Sequence, residues 1–104
     1  MTKNALLAFL ITTSVIGLSP TLAADAEHGA VLARRWCSSC HVVAANQRQI
    51  TGEAPPFATI AHRPDFDVNR LAFFLLDPHP KMPDMGLSRT DAADLAAYIG
   101  SLAK

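Results

Sequence analysis

The motif Cys-Ser-Ser-Cys-His at residues 37–41 constrains this chain of 104 residues more than any other feature. It contains both cysteines of the chain, separated by two residues, and a histidine follows at once. Three chemistries use such a pattern: a redox disulfide, half of a zinc site, and covalent attachment of a haem. Features elsewhere in the sequence decide among them.

The N-terminal segment has the pattern of an export signal. Lys3 supplies a positive charge, an apolar run occupies residues 5–18, and Pro20 ends it. Small residues follow, so we expect a signal peptidase to cleave after Ala23 or Ala24. The alternative is an uncleaved membrane anchor, but polar residues interrupt the run, which is shorter than the about 20 residues that span a bilayer.

We therefore expect residues 1–23 to be a signal peptide and residues 24–104 to form one exported domain, placed in the periplasm. A domain this small buries little apolar surface and often needs a disulfide, metal or cofactor for stability. Without Lys3 it keeps eight basic residues against nine acidic ones, a formal charge of −1. This balance gives no electrostatic basis for binding nucleic acid or an anionic membrane.

Helical periodicity recurs along the domain, and no segment has the alternation of a strand. The sequence therefore predicts an all-α fold, with three main helices plus short turns. The predicted helices cover residues 25–36, residues 68–77 and a segment that starts with Ser88, with a short helical turn at Phe57–Ala61.

Two of these helices carry apolar faces that need a partner. In the first, Val31, Leu32 and Trp36 are expected to share an apolar side. In the second, Phe73 and Phe74 widen the apolar stripe beyond one face. A helix of that kind must be covered on more than one side, which indicates a large apolar group beside it.

The three chemistries can now be compared. A redox Cys-x-x-Cys pair belongs where a strand meets a helix, and no strand is predicted. A structural zinc site needs four ligands, and His62 and His79 lie too far apart in sequence to complete one with the two cysteines. A bare disulfide across two residues would close almost no chain. In an exported chain, C-x-x-C-H is the pattern of haem attachment, with Cys37 and Cys40 forming thioethers and His41 binding the iron.

Residues 77–86, with the sequence DPHPKMPDMG, form a stiff loop that holds a second potential ligand. Pro78, Pro80 and Pro83 exclude both a helix and a central strand there. Proline restricts the unfolded chain, so such a loop holds a side chain at little entropic cost on folding. Met82 and Met85 are both in this loop.

The chain resembles the small class I c-type cytochromes of bacteria over essentially the whole exported domain. The resemblance rests on Gly29, the motif at residues 37–41, and three further segments: APPF at 54–57, KMP at 81–83 and LSRTDAADLAAYI at 87–99. Ala33 is a departure, since relatives often carry an aromatic residue four positions before the first cysteine. No second tryptophan is available to bond a haem propionate.

The resemblance implies a cytochrome c-like fold packed around one covalently bound haem, and specific roles for several residues. His41 and Met82 would be the two axial ligands of a single haem c, and a carbonyl near Pro55 would accept the Nδ1 proton of His41. Gly29 would let the first helix cross closely over the last, near Leu95 and Tyr98. Met85 and His79 are the rivals of Met82 for the sixth position, and an open sixth site is the remaining alternative.

Other residues are assigned less specifically. His28 and His62 are expected to be solvated surface histidines. Trp36, Phe57, Phe73, Phe74 and Tyr98 are expected to pack on the haem or in the core. Arg35, Arg63, Arg70 and Lys81 are candidate partners of the propionates or of other proteins, and nothing in the sequence ranks them.

The resemblance implies a periplasmic one-electron carrier rather than an enzyme, with other periplasmic or membrane-bound redox proteins as donor and acceptor. Two alternatives stay open. In the first, the chain is a haem-bearing subunit of a larger oxidoreductase, with the same chemistry but an obligate partner. It would be a ligand sensor or haem enzyme if its sixth site were labile.

Overall fold

The computed structural model describes residues 12–14, 16–17, 23–47, 53–78 and 80–104. Its helices are α1 (Ala26–Trp36), α2 (Phe57–Ala61), α3 (Val68–Leu76) and α4 (Arg89–Ser101). The described segments contain no strand. The prediction of an all-α fold is therefore confirmed, with the short turn at 57–61 formed as a fourth helix.

Side-chain caps fix where the three long helices begin. Asp25 accepts a hydrogen bond from the backbone N–H of His28, and Asp67 caps α3 in the same way. At α4, Ser88 and Asp91 form a reciprocal capping box. These caps satisfy N–H groups that the first helical turn leaves unpaired, so the starting points follow directly from the sequence.

Helix α4 is the centre of the molecule, because it contacts each of the other three helices. Its side chains Leu95 and Ile99 are almost fully buried. Helix α1 crosses it at Gly29, where a Cβ atom would lie 2.0 Å from the carbonyl oxygen of Asp94 and 2.8 Å from the Cβ of Tyr98. The expected close crossing at Gly29 is confirmed, with Asp94 rather than Leu95 as the nearest contact.

The expected apolar side of α1 was partly wrong. The buried positions of this helix are Gly29 and Ala33, whereas Val31 is 50% exposed and Trp36 is 45% exposed. The crossing at Gly29 brings the backbones close, so it accommodates the small Ala33 and leaves no room there for a large side chain. Trp36, although exposed, is one of the residues that line a large cavity beside the end of α1.

In helix α3, too, one aromatic residue is more exposed than the sequence predicted. Phe73 is 76% exposed, so its assignment to the core or the haem pocket was wrong. Its neighbour Phe74 and the residues Leu71 and Leu75 line a cavity instead. Successive helical positions point about 100° apart, so only part of the wide apolar stripe faces that cavity.

Within the described residues, no helix is both long enough and apolar enough to cross a membrane.

Candidate functional site

The motif at residues 37–41 continues directly from α1 as a tight turn. The N–H of Cys37 bonds to the carbonyl of Ala33, as in a helix. The carbonyl of Cys37 then accepts hydrogen bonds from the N–H groups of Cys40 (3.2 Å) and His41 (2.9 Å). This turn brings both thiols and the imidazole to the same end of α1.

The His41 ring is held by two contacts. Its Nδ1 atom lies 2.7 Å from the carbonyl oxygen of Pro55. Because a carbonyl can only accept, Nδ1 carries the proton and Nε2 is left with a free lone pair. The ring also lies against Phe57, with centroids 4.9 Å apart. The expected hydrogen bond near Pro55 is confirmed, and it gives the imidazole the tautomer and orientation of a metal-binding histidine.

A cavity of about 700 Å³ lies beside this turn. Its volume is within the range of about 300–1,000 Å³ typical of cofactor sites. Apolar side chains from α1, α2, α3 and α4 contribute to its walls. The residues that bring potential ligands to this cavity are Cys37, Cys40, His41, Met82 and Met85.

The loop after α3 brings two thioether sulfurs to the cavity. Met82 and Met85 are both half-buried and both line it. Their shared location does not rank one above the other as a sixth ligand. The third candidate, His79, lies outside the described residues.

The two cysteines have different environments. Cys37 is buried and Cys40 is exposed. Burial, together with the neighbouring Cys40, raises the pKa of the Cys37 thiol to about 11. Cys37 is therefore a neutral thiol at pH 7.

Charged residues of both signs reach the cavity wall. The cations are Arg63, Arg70 and Lys81. The guanidinium of Arg35 instead lies over the Trp36 ring, 5.1 Å from its centroid. The structure thus separates Arg35 from the other three candidate propionate partners, which the sequence did not rank.

Two side chains that hold the backbone of the motif segment and of α1 were not predicted from the sequence, Gln47 and Asp94. Gln47 bonds to three backbone groups of the segment that contains His41. Asp94 is buried and accepts the N–H of Asp25. The partners of Asp94 are distant in sequence, and a glutamine in a loop has no local pattern that identifies its bonds.

His28 and His62, the described histidines outside the motif, make different contacts. His62 is exposed, as expected, with Nδ1 2.6 Å from the carbonyl oxygen of Ala58 on its own helix. His28 is also exposed, but its Nδ1 lies 2.7 Å from a carboxylate oxygen of Asp94 on α4. The prediction that His28 is simply solvated is therefore incomplete, because the ring joins two helices.

Comparison with known proteins agrees with this arrangement. Residues 24–99 match the family described as cytochrome c oxidase, cbb3-type, subunit III. The chain is also 66% identical over 84 residues to cytochrome c-552 of Bradyrhizobium diazoefficiens (strain JCM 10833 / BCRC 13528 / IAM 13628 / NBRC 14792 / USDA 110), and the match covers 81% of each protein. The chain belongs to the c-type cytochromes. No solved structure matches it.

Membership defines the general chemistry of this cytochrome. Its family uses haem c, and its role is electron transfer rather than catalysis on a substrate. Cytochromes of this type are typically exported. The cavity suits such a group, because its walls are largely apolar and it combines two thiols, an imidazole and two thioethers.

Proposed function

We propose that this cytochrome is a periplasmic one-electron carrier with a single haem c, bound through thioethers to Cys37 and Cys40. His41 and Met82 are its axial ligands. The observation that supports this most is the convergence of the two thiols, the His41 imidazole and the Met82 sulfur on one cavity. The haem supplies the one-electron chemistry, as its iron changes between ferric and ferrous forms.

The contacts of His41 set the orientation of its imidazole and its strength as a donor to the iron. The Pro55 carbonyl holds the Nδ1 proton, so Nε2 presents its lone pair to the cavity. A hydrogen bond of this kind makes the imidazole a stronger donor. Phe57 packs against the ring and limits its rotation.

Met82 and the apolar wall of the cavity both favour the ferrous form of the haem. A thioether ligand raises the haem potential relative to a second histidine, since it stabilises the ferrous form. The side chains Phe57, Phe74 and Leu75 line the cavity with apolar surface, which disfavours the extra charge of the ferric form.

Arg63 and Arg70 are the proposed partners of the haem propionates. Arg63 and Arg70 both line the cavity, whereas Arg35 lies over Trp36 and is not among the lining residues. A guanidinium offers paired N–H donors that match a carboxylate, so arginine suits this role better than lysine.

Location in the periplasm rests on the expected signal peptide at residues 1–23. Export also suits haem attachment through the motif at 37–41, because the typical c-type cytochrome is an exported protein.

Oxidised spectra of the haem-loaded protein and of two matched variants test the ligand assignment. The wild-type spectrum is expected to have the weak far-red band of a methionine–iron bond. Met82→Ala should lose this band, and Met85→Ala should keep it. Loss of the band in Met85→Ala alone would assign the sixth position to Met85, and a low-spin wild type without the band would point to His79.

A second candidate function is a haem-bearing subunit of a larger oxidoreductase. The description of the matching family, which is a subunit of an oxidase, favours it. Native mass measurement after gentle extraction from the source cells separates the two. A carrier is expected to run as a single chain, whereas a subunit would remain in a stable complex.

A further inference from the structure

Gln47 is a half-buried residue in the loop after the Cys-Ser-Ser-Cys-His motif, six positions beyond His41. Its Nε2 group donates hydrogen bonds to the carbonyls of His41 (2.9 Å) and Ser38 (3.1 Å). Its Oε1 atom accepts the N–H of Val43 at 2.7 Å. One side chain therefore connects three backbone groups on both sides of the iron-binding histidine.

The orientation of this amide is unambiguous. Two of its partners are carbonyls, which only accept, and the third is an N–H, which only donates. Rotating the amide by half a turn would place its oxygen against two carbonyl oxygens. Both Nε2 protons and the Oε1 atom are thus used together, in a single arrangement.

These bonds take the place of a continuing helix. The turn at 37–41 ends at His41, so the carbonyls of Ser38 and His41 have no helical N–H to accept from. Gln47 supplies the missing donors, and the segment that follows is held by two other contacts. The Val42 carbonyl accepts the N–H of Phe57 at 2.9 Å, and the Val43 carbonyl accepts the Tyr98 hydroxyl.

We propose that Gln47 is a positioning residue that holds the backbone of His41, so that the His41 ring keeps its bond to Pro55 in both oxidation states. The proposal rests on the proposed role of His41 as an iron ligand. Pro55 fixes the ring of this histidine, and Gln47 fixes the backbone from which the ring extends. A looser backbone weakens the Nδ1 bond, which makes the imidazole a poorer donor to ferric iron and raises the potential.

Exchange of side-chain amide protons in the wild-type, haem-loaded protein tests the hydrogen bonds directly. The Nε2 protons of Gln47 should exchange with solvent about tenfold more slowly than the side-chain amide protons of the adjacent Asn46, which is exposed. Equal exchange rates for the two residues would overturn the proposal. This readout does not depend on the identity of the axial ligands.

Three uncharged substitutions test the effect on the iron. Gln47→Met keeps the length of the side chain and removes all three bonds. Gln47→Asn keeps the amide but is one methylene shorter, and Asn46→Met is the matched control. We expect the reduction potential to rise in Gln47→Met, to rise less in Gln47→Asn and to stay unchanged in the control, with shifted His41 ring resonances in the Gln47 variants only.

Unchanged potential and unchanged His41 resonances in Gln47→Met, even with a lower unfolding temperature, would overturn the positioning role. If Gln47→Met does not accumulate with haem, the graded change in Gln47→Asn decides between the same two outcomes. A wild-type spectrum without histidine-ligated iron would instead reject the proposed function, while the exchange measurement would still report whether Gln47 holds the turn.

Discussion

Asp94 is a buried carboxylate that joins α1 to α4, and it is only 4% exposed. One of its oxygens accepts the N–H of Asp25, and the other lies 2.7 Å from Nδ1 of His28. A buried carboxylate without such partners would be strongly destabilising. Asp94 therefore makes the crossing at Gly29 dependent on the N-cap Asp25 and on His28 in the first turn of α1.

The His28–Asp94 pair predicts a pH-dependent contribution to stability. The hydrogen bond to Asp94 is the main cause that raises the pKa of His28, with smaller effects from the charges of Asp94, Asp91 and Asp25. A raised folded-state pKa means that the stabilisation is complete below the unfolded-state value of about 6.5 and is lost as pH rises through the folded-state value.

His28→Gln should therefore lower the unfolding temperature more at pH 5.5 than at pH 9. Thermal melts of the two haem-loaded proteins across this range measure the difference. A gap between wild type and variant that stays constant with pH would show that protonated His28 has no role.

The arginines at the cavity make a second prediction at the scale of single residues. A cation near the haem disfavours the ferric form, so its removal should lower the reduction potential. Arg63→Gln and Arg70→Gln are expected to lower the potential more than Arg35→Gln, whose guanidinium lies over Trp36. Equal shifts in all three variants would contradict the assignment of the propionate partners.

Single residues were predicted from the sequence only where a short pattern identifies them. The motif at 37–41 needs no tertiary information, and the resemblance to known cytochromes supplied the carbonyl near Pro55. Asp94 was missed because its partners Asp25 and His28 are 69 and 66 positions away. Gln47 was missed because a glutamine in a loop has no distinctive local signal.

At the scale of the helices, the crossing of α1 over α4 depends on the absence of a side chain at position 29. A Cβ there would meet the backbone of Asp94 at 2.0 Å, and a backbone cannot move aside as a side chain can. Gly29→Ala should therefore destabilise the protein by about 2 kcal/mol, because an overpacking cost of up to about 3 kcal/mol exceeds the gain in helix propensity of about 1 kcal/mol.

Gly100→Ala is the matched control in α4. A Cβ at this position lies 3.3 Å from a ring carbon of Phe66, which is a side chain able to shift. We expect a change of less than about 1 kcal/mol, set mainly by helix propensity. Denaturant unfolding of both haem-loaded variants gives the comparison, and equal destabilisation would mean that the crossing tolerates a methyl group.

The helices themselves were predicted well, and the side chains they expose were predicted less well. Caps at Asp25, Asp67 and Ser88 set the starts of α1, α3 and α4 from local sequence alone. Periodicity identifies which positions are apolar but not which of them a neighbour covers. Trp36 and Phe73 show the difference, because both are apolar and both are exposed.

For the whole molecule, the apolar walls of the cavity need a partner. The cavity has a volume of about 700 Å³, and without a haem its apolar side chains would be exposed to water, which is unfavourable. The haem is thus expected to form part of the core. The sequence indicated this through the size of the domain and the wide apolar stripe of α3.

Removing the two cysteines that attach the haem tests whether the fold depends on it. A Cys37→Ala/Cys40→Ala double variant should carry no covalent haem under denaturing electrophoresis, and its helical circular dichroism should fall well below that of the loaded protein. Ser39→Ala, within the same motif, is the control and should retain both properties. A haem-free variant with undiminished helical signal would show that the fold stands without its cofactor.

The most direct test of the account is a potentiometric titration of the haem-loaded wild-type protein, followed by optical spectra. A carrier that keeps His41 and Met82 in both states should titrate as one centre with a single-electron slope, stay low-spin throughout and leave carbon monoxide unbound when reduced. A high-spin reduced form that binds carbon monoxide readily would contradict the account and favour a sensor or an enzyme.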